Sequence, residues 1–146
     1  VKKSYKKDPY AMWKVIRGSE PYADDDITKL MLPLRFSFEA LRRGTATADD
    51  AYTISNAIND TAIRSWGLED EDAANAAGPI ANAAIHAMRR CGERYKKLGK
   101  LGLDGPGIAD VAAGIDLYEQ LVRLSTPAQM LAAASMAIRL QSGQEA

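Results

Sequence analysis

The chain of 146 residues has one cysteine and one histidine. A lone cysteine excludes an internal disulfide framework and fits a reducing compartment. There is no Cys/His cluster, so neither metal nor cofactor is expected. Charge of either sign is not in excess: Lys+Arg and Asp+Glu are both 19, and the net charge is zero. Dedicated nucleic-acid binders usually carry a basic excess, so any basic patch here must be local. No apolar run approaches the ~18–20 residues that span a bilayer. The start "VKKSYKKDPY" is basic, but no apolar stretch of signal-peptide type follows it. The chain therefore reads as cytoplasmic, and the opening at Val1 as a trimmed or tagged terminus. Valine is sparse and nothing alternates with period two, which argues against strands. No Gly-x-Ser-x-Gly and no paired catalytic carboxylates are recognisable, so enzyme activity is not expected.

What is present is helical. Apolar residues make up 47% and alanine is abundant, enough for one domain with a core. The expected fold is all-α: a compact bundle of five to six mostly antiparallel helices. Residues 1–8 read as a flexible basic tail, 9–142 as a single helical domain and 143–146 as a frayed end.

Asp8-Pro9 opens a short first helix, ended by Gly18, with Tyr10, Trp13 and Ile16 or Arg17 as its contact face. The second starts in "ADDD" and runs to about Arg43. Its stripe is Ile27, Leu30, Met31, Leu34, Phe38 and Leu41. Pro33 should kink it, or break it near Leu32. Thr47 and Asp50 form a capping-box pattern for the third, whose inner face is Ala51, Ile54, Ile58 and Ala62, with Trp66 at its end. The fourth starts in "LEDEDAANAAG", should bend at Gly78-Pro79, and ends near Leu98. Pro106 opens the fifth, with Ile108, Val111, Ile115, Tyr118 and Val122 in a stripe that Leu121 widens. Thr126, Pro127 and Gln129 start the sixth with almost no loop, which favours an antiparallel or sharply angled pair. Its contact face is read as Met130, Leu131, Ala134, Ala137 and Ile138.

The stretch "AIHAMRRCGERYKK" pools the rare residues. On a helix His86 and Cys91 point about 140° apart, so they cannot easily share a metal or form a dyad. Cys91 falls in a heptad seam with Ala77, Ala81, Ala84, Met88, Tyr95 and Leu98 and reads as a small buried hydrophobe. His86, Arg90, Arg94 and Lys97 share the opposite arc. One reading is a solvated helix end whose cations complement the helix dipole. The other is a cationic stripe that, with Lys6 and Lys7 of the tail, meets phosphates, anionic lipid or an acidic protein face. "GLDGPG" lacks the strand and Lys-Ser/Thr of a phosphate loop and reads as a tight helix connection, with Asp104 as a cap. "EDED" lacks the spacing of a calcium loop.

The phrases "LPLRFSFEALRRG", "LDGPGIADV" and "LYEQLVRLSTPAQM" resemble small, uncharacterised helical proteins of bacterial chromosomes and mobile elements. The resemblance covers about residues 20–142 and carries no activity or site residue. It implies an accessory or phage-related protein. The leading expectation is a non-enzymatic protein-interaction protein, binding a protein partner or its own copies. An inhibitor of a host nucleic-acid-handling or defence complex is the natural form. The alternatives are a nucleic-acid-associated protein using the basic stripe and tail, and an enzyme or small-ligand binder using a pocket between helices.

Overall fold

The computed structural model describes residues 18–143. The helix expected over 9–17, the tail with Lys6 and Lys7, and residues 144–146 lie outside that range. The described residues form five helices and no strand: α1 (Asp24–Arg43), α2 (Ala48–Trp66), α3 (Glu71–Leu98), α4 (Gly105–Leu124) and α5 (Pro127–Gln141).

Local chemistry accounts for the boundaries. Asp24, Asp25 and Asp26 occupy the first turn of α1, and Arg42 and Arg43 its last, each matching the helix dipole. Gly44 closes α1 at φ 75°, with Thr45 N–H on the Ala40 carbonyl and Gly44 N–H on that of Leu41, a Schellman stop. Thr47 and Asp50 form the reciprocal capping box of α2. The Asp50 carboxylate also accepts the Ser37 hydroxyl at 2.9 Å, so the cap fastens α2 to α1. Its acidity rises through the Thr47 amide first and Ser37 second. Asp70 caps α3, Asp104 caps α4, and Thr126 with Gln129 caps α5.

Neither proline breaks its helix. Pro33 lies within α1 and Pro79 within α3, both exposed, and each helix continues past them. The division of α1 near Leu32 is therefore excluded.

The central element is α2, which packs against each of the other four helices. Leu41, Ile54, Ile58, Val111, Ile115, Leu121 and Val122 are essentially inaccessible. Full burial of each contributes about 1.5–3 kcal/mol. A smaller apolar cluster joins Ala62, Ala77, Ala81, Leu117 and Leu121. Small residues set the α3–α4 approach: a Cβ on Gly114 would lie 2.7 Å from the Ala84 Cβ and 2.7 Å from the Ile58 Cδ1.

Three expected core positions are corrected. Trp66 and Leu131 are 65% and 68% exposed, and Ile138 is similar. Ser65 takes the buried place at the end of α2, its hydroxyl satisfied by the Thr61 carbonyl at 2.7 Å. Met130, Ala133 and Ala137 form the inner face of α5. That helix is apolar almost all round, with Arg139 its one charge, so periodicity could not select the face. α5 lies along α2 and does not pack along α4. The short Ser125-Thr126 junction therefore does not lay α5 back along α4.

Candidate interaction surfaces

The stretch around His86 and Cys91 lies wholly within α3. His86, Arg94 and Lys97 are exposed on one arc. Arg90, on the same arc, is half-buried and engaged: its Nε donates to Asp104 Oδ2 at 2.8 Å and a terminal guanidinium nitrogen donates to Oδ1 at 3.2 Å. The pair strengthens both charges. Arg90 raises its own basicity chiefly through this bond, and the guanidinium holds the Asp104 carboxyl below its ordinary range. Lys6 and Lys7 lie outside the described residues.

Cys91 is 2% exposed, and burial pushes its thiol pKa up. It sits among Ala84, Ala87 and Met88 in the core, apart from the exposed His86. The seam expected on α3 holds through Cys91 but not to its end. Tyr95 is 50% exposed and Leu98 more so. The reason is length. α3 has 28 residues against 19 and 20 in α2 and α4. At 1.5 Å per residue it spans about 42 Å against about 29 Å, so part of it extends past its partners, while Tyr95 still faces the start of α2 across an open groove.

Three open grooves flank α2. One, about 440 Å³, lies between Trp66, Ile63 and Arg64 of α2 and Gln129, Ala133 and Met136 of α5. A second, about 220 Å³, lies on the far side of Trp66, against Ile85, Ala137 and Leu140. Trp66 thus stands as a ridge between two apolar hollows. The third, about 210 Å³, runs between Ala51, Tyr52 and Ser55 of α2 and Met88, Gly92 and Tyr95 of α3. Tyr52 is 67% exposed on its rim.

Sequence reasoning missed this surface. Ile63 and Trp66 lie about three and four turns beyond Tyr52, on one arc of α2. That second apolar stripe is the signal which could have found it. A polar position was missed as well. Asp60 of α2 is half-buried, and burial alone pushes its carboxyl up to about 6. Tyr118 of α4 is pushed up to about 12, first by burial and then by the charges of Asp60 and Tyr22.

Among the described residues no group of three acidic, histidine or cysteine side chains is placed to hold a metal. No described helix is long and apolar enough to cross a membrane. Comparison with protein-family models, with curated proteins and with solved structures returns no match.

Proposed function

We propose that this protein works by contact, as a non-enzymatic module that binds a protein partner, or its own copies, through its helix faces. Trp66 is the observation that supports this reading. A tryptophan 65% exposed between two apolar hollows costs solvation unless something covers it. Tryptophan is also the residue type that most often anchors a protein interface. The resemblance noted above makes the natural setting an accessory or phage-type inhibitor of a host nucleic-acid-handling or defence complex in the cytoplasm. The reading takes α1 to α4 as alternating in direction. The Asp24–Arg123 pair at the start of α1, and the Leu103 N–H on the Leu41 carbonyl at its end, support that arrangement. The test is capture and sedimentation with the wild type beside Trp66→Glu. A specific partner or self-association, lost in the variant at unchanged helicity, is expected. Neither partner nor self-association in the wild type overturns the proposal.

A second reading has its own observation. The α3–α4 connection folds onto the end of α1, with Gly102 against Gly44, so the basic ends of α1 and α3 share one end of the molecule. Arg42 and Arg43 are held there by Glu39, whereas Arg94 and Lys97 carry no ion pair among the described residues. Nucleic-acid binding at that end should weaken steeply with salt and fall on charge reversal at Arg94 and Lys97. Binding indifferent to both changes rejects it.

A further inference from the structure

We propose that the groove between the first half of α2 and the second half of α3 receives a helix of a partner protein, apolar on one face and acidic along the flank. The inference rests on the contact reading above and names the chemistry of the partner.

The shape of the groove fits a helix. Its lining includes small residues, Ala51 and Ser55 on α2 and Cys91 and Gly92 on α3, which let a helix axis come close. Met88 adds an adaptable apolar surface, and Tyr52 and Tyr95 wall the two sides. The protein already uses this mode once. α5 lies along α2 with Met130, Ala133 and Ala137 inward. Its end, Leu140 and Gln141, reaches Asn59 and Ile85. The Tyr52–Tyr95 groove lies farther toward the start of α2 and is left without a covering helix among the described residues. Recognition of an amphipathic helix in such a groove is a recurring mode.

Charge selects the flank. On α3, Arg89 precedes Gly92 by one turn and Lys96 follows it by one turn, both exposed, with Lys100 beyond. Glu93 on α3 and Asp49 on α2 are the nearby exposed acids, so the cations prevail on the α3 rim. A flank of glutamate or aspartate would meet them favourably, and a flank of lysine would be repelled.

The test uses two labelled amphipathic peptides with the same leucine face, one flanked by glutamates and one by lysines, titrated against the full chain by fluorescence anisotropy. The acidic peptide should bind at least about tenfold more tightly than its basic twin, with the preference shrinking as salt rises. Gly92→Leu fills the groove where a Cβ meets nothing within 4 Å, so the fold should persist. This variant should lose the acidic peptide, and Arg89→Glu with Lys96→Glu should reverse the preference. Equal binding of the twins, or unchanged binding to Gly92→Leu, overturns the proposal. So does self-association of the wild type abolished by Gly92→Leu, which would seat a second copy in the groove. If neither peptide binds while capture dependent on Trp66 survives, the groove proposal is overturned and the contact reading stands, since Trp66 lines the other two hollows. If both fail, the contact reading falls as well.

Discussion

Arg90 and Asp104 form a two-point clasp, 2.8 Å and 3.2 Å long, across the turn between α3 and α4. The same carboxylate accepts the Gly107 amide at 2.7 Å and caps α4. One side chain thus starts a helix and fastens it to its neighbour. Arg90 is held inward by this bond and is less free to meet a ligand than Arg94 or Lys97.

Loss of the two partners should therefore be unequal. Asp104→Ala removes a cap and leaves Arg90 without its acceptor, and should cost about 1–2 kcal/mol. Arg90→Gln keeps the cap and should lower stability by less. Urea unfolding of the two variants decides it, and a larger loss from Arg90→Gln contradicts the clasp. The carboxyl of Asp104 is held below its ordinary 3.8 by Arg90 first; burial opposes this, and the Gly107 amide adds to it. A group lowered this way favours folding above its unfolded pKa, and that advantage disappears as pH falls through the folded value. The difference between wild type and Asp104→Ala should thus begin to narrow as pH falls below about 4 and go on shrinking through the lower folded value.

Asp60 works in the opposite direction. Its carboxyl is raised from 3.8 to about 6 by burial. Such a group favours folding below its unfolded pKa, and the benefit is lost as pH rises through about 6. At neutral pH the charged form sits where it is poorly solvated. Asp60→Asn removes that charge while keeping the shape. Full linkage would give about 3 kcal/mol, and partial access to water reduces it to about 1–1.5 kcal/mol. The variant should unfold at higher urea than the wild type at pH 8 and match it near pH 4. A variant equally or less stable at pH 8 would show that Asp60 has a favourable partner.

Gly114 sets two local rules against each other. In an isolated helix Gly→Ala gains about 1 kcal/mol. Here the new methyl would stand 2.7 Å from both the Ala84 Cβ and the Ile58 Cδ1. Ile58 can rotate, but Ala84 has no rotamer to yield, so α3 and α4 must separate. Gly114→Ala should therefore destabilise by about 1–3 kcal/mol. Pairing it with Ala84→Gly should recover part of the loss. A stabilised Gly114→Ala would mean that the helices part without cost.

The helices were legible because their signals are local. Thr47 with Asp50, Asp104 before Gly-Pro, and Thr126 with Gln129 each bond within three residues along the chain, and all three form as expected. The faces were legible where polar residues alternate with apolar ones, as in Ile54 and Ile58. They were hidden in α5, where Leu131 and Met130 look alike to any periodicity. The outward Trp66 depended on where α5 would come to rest, a long-range fact. The Arg90–Asp104 clasp was equally remote. In sequence Arg90 reads as an open cation and Asp104 as a cap, and only the turn at Gly99 brings them together. Asp60 gave no signal at all, since its burial comes from packing and not from its neighbours in sequence.

Cys91 gives a direct reading of how firmly these helices are held. It is the only cysteine, 2% exposed, with its thiol pKa raised by desolvation. A thiol reagent needs both access and thiolate, and the native state withholds both. Labelling should therefore proceed through opened states, and its rate should track their population. Asp104→Ala, which loosens the turn beside Cys91, should label faster than the wild type. Asp60→Asn at pH 8, more stable, should label no faster. If the wild type reacts as quickly in buffer as in denaturant, Cys91 is reached from the Tyr52–Tyr95 groove without unfolding. Cys91 already lines that groove, and its 2% exposure there would then rise in solution without loss of the fold.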